Sequence, residues 1–182
     1  SILDISKFDT SKVTDMYAMF DDNRKLKQLN LNSFTTENCL DMGAMFRKCM
    51  NIKSLDLSTF RTNNVGDMFS MFEDCQVLES LDLSRFKTPN VFDMSSMFLN
   101  CHKLTYLNIQ DFDASHVDDL AYMFSHCYEL RSIDLSKFNS EQATNFEEMF
   151  AYSKNLVSVN LSGLSTRNGE NMNGMFRNLF SI

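Results

Sequence analysis

Turn-forming and basic residues are both scarce in this sequence. Its 182 residues include one Pro, five Gly, three His and no Trp. The 17 Lys and Arg are outnumbered by 24 Asp and Glu, so the net charge is −7, and the basic residues form no cluster. DNA and RNA binding depend on such clusters and are therefore not expected. No apolar run approaches the ~18 residues of a membrane-spanning helix, so we expect a folded protein with no membrane insertion in this segment.

Residues arranged for catalysis are also missing. No phosphate-binding loop and no nucleophile with an adjacent base stands out, and Ser recurs at regular intervals, as structural residues do. The histidines, His102, His116 and His126, form no recognisable triad. We therefore expect no enzyme activity and no cofactor.

Met and Phe are in excess, with 13 and 17 copies. The dipeptide Met-Phe recurs every 26 residues, and seven such units fill the chain without insertion. The units are 1–26, 27–52, 53–78, 79–104, 105–130, 131–156 and 157–182. When the columns of each unit are numbered from 1 to 26, columns 16 and 19 hold 12 Met, and columns 8 and 20 hold 13 Phe. This repeat predicts a single domain of stacked coils that share one core.

Each unit is predicted to hold one strand and one helix. In the third unit Leu55 and Leu57 alternate with polar residues, which is typical of a half-buried strand. Apolar residues in columns 13, 16, 19, 20 and 23 fall within an arc of about 120° on a helical wheel. Thr or Ser in column 10 would cap this helix, Pro89 would be its first residue, and Asp in column 15 would face its positive end.

The predicted fold class is therefore α/β. The architecture is a right-handed leucine-rich-repeat-like solenoid of seven 26-residue strand–helix units with one parallel sheet. The last four residues, from Leu179 to Ile182, are mostly apolar, although the ends of a solenoid are normally capped by polar residues. We therefore expect a fragment of a longer protein, or ends that self-associate.

The repeat consensus is L-D-L-S-x-F-x-T-x-N-V-x-D-M-x-x-M-F-x-x-C-x-x-L, and units 53–78 and 79–104 match it nearly column for column. It resembles the BspA-like family of bacterial leucine-rich-repeat surface proteins, whose repeat also occurs in mycoplasma lipoproteins. The last unit departs from it at Leu164, Gly169 and Leu179. The resemblance implies an extracellular protein on the cell surface, wall-anchored or a lipoprotein, that binds host matrix, mucus or cell-surface protein or glycan.

The five cysteines leave two alternatives open. Column 23 holds Cys49, Cys75, Cys101 and Cys127, and column 13 holds Cys39. All five can be small buried residues. Alternatively, Cys49–Cys75 or Cys101–Cys127 can bridge neighbouring coils, because a rise of ~4.8 Å fits a disulfide.

No metal site is expected. His102 and His126 adjoin cysteines, but zinc-ligand spacing is absent and the histidines should point away from an inward Cys. Asp and Asn are interspersed in column 4, which is typical of a solvated row of side chains. Calcium binding is not expected there, because a calcium loop needs several converging oxygens.

Recognition is expected where the units differ, since shared columns build the frame. Candidate binding residues in units four to six are Tyr106, Tyr122, Tyr128, Tyr152, His102 and His126. Stacking should place His102 beside Tyr128 and His126 beside Tyr152. Such a cluster is typical of recognition surfaces, and local packing over the helix ends is the alternative. Phe69 and Phe92 are lesser candidates on the outer face.

The leading functional hypothesis is a non-enzymatic binding module of a bacterial adhesin. It would recognise a host protein, mucin or glycan through units four to six. The alternatives are a spacer that holds another domain off the cell surface and an intracellular leucine-rich-repeat scaffold.

Overall fold

The computed structural model describes residues 2–182 and shows seven units stacked at a 26-residue offset. The strands are short: β1 Ile2–Leu3, β2 Gln28–Leu29, β3 Ser80–Asp82, β4 Tyr106–Asn108, β5 Ser132–Asp134 and β6 Ser158–Asn160. They pair in parallel as β1–β2, β3–β4 and β5–β6, in three two-stranded sheets. In β3–β4, for example, Leu81 pairs with Leu107. At the strand position of the third unit, an isolated bridge joins Ser54 to Ser80.

The predicted strand–helix architecture with one parallel sheet is wrong. Within residues 2–182 there is no helix, and the strand pairing is divided into three sheets. Columns 18 and 22 have positive φ in all seven units, as at Ser70 (53°) and Asp74 (59°). A right-handed helix cannot include such residues. No helix long and apolar enough to cross a bilayer is present in the described part of the chain.

Backbone amides in the segment predicted as helical bond to the next unit instead. In the third unit the N–H groups of residues 68, 70, 72 and 74 donate to the carbonyls of 93, 95, 97 and 99, at 2.8–3.1 Å. Tight turns alternate with these bonds, since Met71 donates to the carbonyl of Met68 at 3.2 Å. We call this set of bonds the amide ladder. Successive turns return a side chain to the core every three or four residues, which produces the same apolar spacing as a helix.

Phe rings form the centre of the stack. Column 20 holds a continuous series of stacked rings from Phe20 to Phe176, with centroids 5.5–5.7 Å apart. In column 8 the rings of Phe34, Phe60 and Phe86 are 6.2–6.4 Å apart. The wider spacing lies on the strand side, where sheet pairing is interrupted, while the amide ladder beside column 20 is continuous.

The prediction that Thr and Ser of column 10 cap a helix is wrong. These residues join adjacent units instead. The buried Thr62 hydroxyl donates to the carbonyl of Lys87 at 2.7 Å and accepts the Lys87 N–H at 2.8 Å. We call this paired bond the hydroxyl clip. Pro89 follows the clip residue Thr88, which bonds both backbone groups of Asp113 in the same way. The clip satisfies one partly buried backbone donor and one partly buried backbone acceptor of the following unit.

Of the six junctions between units, the one between units five and six lacks the clip, because column 10 of unit five is Ala114. Its amide donates instead to the carbonyl of Phe138 at 2.7 Å, and the following residue, Asn139, has a φ of 46°. A cleft of about 280 Å³ lies here between units five and six, lined among others by Phe112 and Phe138. Strands β4 and β5, which flank it, are not paired.

Asp and Asn side chains close two turns in each unit. In column 4, Asp82 Oδ1 accepts the N–H of Ser84 at 3.0 Å, and this bond lowers the pKa of Asp82. In column 15, predicted to face a helix end, Asp67 Oδ1 accepts the N–H of Phe69 at 2.8 Å. These carboxylates therefore form turns.

Core residues of the end units are exposed. At one end Leu3 and Phe8 are exposed, and at the other Phe176, Phe180 and Ile182. End-to-end self-association stays a prediction.

Candidate recognition surface

Columns 22 and 24 lie on either side of the buried Cys column and direct their side chains outward. His126 and Tyr152, in column 22, have positive φ of 59° and 63°. Their amides belong to the amide ladder, because His126 donates to Ala151 and Tyr152 to Arg177, at 2.9 and 2.8 Å. The backbone that carries these side chains is therefore fixed from both sides.

Four of the six candidate residues form one group of ring contacts. His102 stacks on Tyr128 with centroids 4.6 Å apart, and His126 stacks on Tyr152 at 4.5 Å. His126 and Tyr128 meet edge to face at 5.7 Å, which joins the two pairs. All four side chains are of intermediate exposure. We call this group (His102, His126, Tyr128, Tyr152) the ring ladder.

Ser125 ties the His126 ring to the next coil. Its hydroxyl oxygen lies 2.9 Å from His126 Nδ1 and 3.1 Å from the carbonyl oxygen of Ala151. Nδ1 is therefore bonded within the chain, and Nε2 is the ring nitrogen left for a ligand.

Both histidines of the ring ladder are neutral at pH 7. Burial lowers the pKa of His102 below its ordinary value of 6.5, and the neighbouring His126 lowers it further, against an opposing effect of Asp74. Burial also lowers the pKa of His126, and Glu148 opposes this shift. The surface therefore presents uncharged rings with polar edges.

Charged residues that sequence reasoning missed surround the ring ladder. Lys154 Nζ lies 5.0 Å from the Tyr128 ring centroid, a cation–π contact. Arg177 pairs with Glu148 at 2.6 Å and bonds the Tyr152 side chain. These residues occupy columns 18, 21 and 24, so the same one-unit stacking that brought the rings together could have identified them.

The two remaining candidates lie outside the ring ladder. Tyr122 bonds Glu147, and burial together with this bond raises its pKa. Tyr106 lies on β4, is 53% exposed, and takes part in none of the ring contacts.

The cysteines are free and buried, so the disulfide alternative is not observed. The thiol of Cys101 donates to the carbonyl of Phe72 at 3.3 Å, and Cys127 donates to Phe98 at 3.2 Å. Ser153, in the same column, donates to Phe124 at 2.6 Å, which shows that the column supplies a small hydrogen-bond donor. Burial raises the pKa of Cys127 to about 12, so the thiol is not a nucleophile at pH 7.

No metal centre accompanies these residues. Within residues 2–182, no group of three or more His, Cys, Asp or Glu side chains is placed to hold an ion. His102 and His126 contact tyrosine rings while their neighbouring cysteines lie in the core.

The stacked 26-residue units and their outward ring ladder define a repeat protein whose exposed columns vary over a constant frame. The chain belongs to the family described as "Mycoplasma protein of unknown function, DUF285", which matches residues 1–103 and again residues 77–182. No curated protein matches it.

Proposed function

We propose that this chain is a non-enzymatic binding module of a bacterial surface protein, an adhesin that recognises a host protein, mucin or glycan through the ring ladder. The observation that most supports this proposal is the set of four stacked, partly exposed rings on adjacent coils. Membership of a Mycoplasma repeat family supports this proposal, as does the resemblance of the consensus to BspA-like surface proteins. The proposed location is the outside of the cell.

Preorganisation is the physical argument for recognition. The ring ladder is held by mutual stacking and by the amide ladder beneath it. A partner therefore meets side chains whose rotamers are already restricted, and less entropy is lost on binding. Tyrosine hydroxyls and Nε2 of His126 supply polar edges beside apolar ring faces, a combination suited to protein and sugar surfaces.

Loss of the ladder tyrosines should abolish binding without unfolding the chain. We expect a Tyr128→Ala, Tyr152→Ala variant to recover at least about tenfold less material from mucus or matrix extracts than the unmodified chain, because both stacked pairs are lost. Recovery is measured by mass spectrometry on the immobilised chain. Tyr106→Ala is the matched control, since it removes an exposed Tyr outside the ladder and should leave recovery unchanged. Equal recovery by all three proteins would remove the proposed site.

Acidification should weaken this binding. The pKa values of His102 and His126 lie below 6.5, so both rings stay neutral at pH 7 and gain a proton only as the pH falls below that value. Protonation makes both nitrogens of each ring donors and brings two cations together. We expect recovery to be constant between pH 7 and 8 and to fall only as the pH drops below 6.5. Recovery that stays constant down to the pH at which the chain unfolds would show that the histidines do not contact the partner.

A spacer is the second candidate function. The amide ladder continues through all seven units without insertion, as a rigid stalk requires. If the chain is a spacer, the Tyr128→Ala, Tyr152→Ala variant should recover as much material as the unmodified chain. Removal of whole units should then change adhesion of the intact protein.

A further inference from the structure

A second exposed surface lies on units one to four, away from the ring ladder. Its apolar side chains are Tyr17, Leu40 and Phe92, which are 52%, 55% and 55% exposed. They occupy columns 14 and 17 and lie on either side of the column 15 carboxylates. We call this surface the acidic strip, and it comprises Tyr17, Leu40, Asp41, Asp67, Phe92 and Asp93.

The chain brings the aromatic and acidic groups together over Gly43. A Cβ atom placed on this glycine would lie 3.1 Å from Tyr17 Cδ2, 3.2 Å from Asp41 Oδ1 and 3.4 Å from Asp67 Oδ1. The Tyr17 ring and two carboxylates of adjacent coils therefore converge on the space above one residue without a side chain. Phe92 similarly covers Gly66, with a Cβ distance of 3.3 Å to its ring.

Charge on the strip is not neutralised within the chain. Asp41, Asp67 and Asp93 are joined by parallel bridges from coil to coil. None of them takes part in an ion pair recorded for residues 2–182. Burial raises the pKa of Asp67, and the negative charges of Asp93 and Asp41 raise it further.

The turn in column 15 does not itself require a charge. In units six and seven the column holds Asn145 and Asn171, whose Oδ1 atoms accept the N–H of residues 147 and 173 at 3.2 and 3.0 Å. Asn therefore closes the same turn without repulsion between coils. The negative row, which runs through units one to five, costs stability that the fold does not demand.

We propose that the acidic strip docks a basic segment of a partner protein. Lys or Arg side chains would place their charged ends between the carboxylates and lay their aliphatic stems on Tyr17, Leu40 and Phe92. Charge complementarity selects this occupant, because an apolar surface divided by three carboxylates repels an acidic or purely apolar partner. The strip is separate from the ring ladder, so this proposal does not depend on the proposed function.

The test measures binding of a labelled peptide of alternating Arg and Leu by fluorescence anisotropy. We expect the Asp41→Asn, Asp67→Asn variant to bind at least about tenfold more weakly, with an unfolding midpoint equal to or above that of the unmodified chain. A control that removes the same charge from column 4, Asp56→Asn with Asp134→Asn, should weaken binding less than about threefold. A peptide with citrulline in place of Arg should not bind.

Three results would overturn the proposal. Equal weakening by the two double variants would show general attraction to an acidic chain, and unchanged affinity would exclude the strip. If sedimentation shows a dimer that Leu40→Ser with Phe92→Ser dissociates, the strip is an interface between two copies of this chain.

Discussion

Replacing Thr62 by Val should destabilise the chain by about 2–4 kcal/mol, although the two side chains have nearly the same shape. The Thr62 hydroxyl bonds both the carbonyl and the N–H of Lys87, at 2.7 and 2.8 Å, in a buried position. Val leaves both of these partly buried backbone groups without a partner. Each should cost roughly 1–2 kcal/mol, the lower part of the range for unsatisfied buried groups. Chemical denaturation measures the change in the free energy of unfolding.

Two further variants separate the hydroxyl clip from side-chain volume. Thr62→Ser keeps the hydroxyl and should lose less than about 1 kcal/mol, since Ser140 forms the same clip in unit six. Ala114→Thr should stabilise the chain by restoring the missing clip beside the cleft between units five and six. If Thr62→Val stayed within ~0.5 kcal/mol of the unmodified chain, the clip would contribute nothing.

Removing a fully buried ring of column 20 should destabilise the chain by a similar or greater amount. Phe72 is fully buried and stacks on Phe46 at 5.6 Å and on Phe98 at 5.7 Å. Phe72→Ala should cost about 3–5 kcal/mol from lost burial and the cavity left behind. Because each unit contacts only its neighbours, we also expect a broader unfolding transition as the two halves uncouple.

Phe8→Ala is the matched control for this substitution. Phe8 is 50% exposed in the first unit, so its removal should cost less than about 1 kcal/mol. Equal losses at Phe8 and Phe72 would mean that the Phe columns do not act as a shared core.

The 26-residue repeat made the core predictable, whereas local sequence patterns wrongly predicted a helix in each unit. Stacking arithmetic placed Phe46, Phe72 and Phe98 on top of one another, as observed. The spacing of apolar residues and the Thr before Pro89 predicted a capped helix, because turns that bond to the next unit produce the same spacing. What distinguishes these turns from a helix is the hydrogen-bond acceptor of each amide. The N–H of residue 70, for example, donates to the carbonyl of Ser95 on the next coil. Such a long-range bond has no local sequence signal.

The candidate surface was predictable to the same extent. One-unit offsets anticipated that His102 would lie beside Tyr128 and His126 beside Tyr152. They could not show which nitrogen of His126 is bonded within the chain, since that depends on the contact between Nδ1 and the Ser125 hydroxyl. Tyr106 shares a unit with Tyr122 and Tyr128, but its column places it on strand β4, away from the ring ladder.

Hydroxyl-radical footprinting of the chain, free and after incubation with mucus or matrix extract, tests most directly whether the ring ladder is the recognition surface. We expect oxidation of His102, His126, Tyr128 and Tyr152 to fall severalfold on binding, while that of Tyr106 does not change. Unchanged oxidation of the four ladder residues, or protection confined to Tyr106 and the strand side, would contradict this expectation.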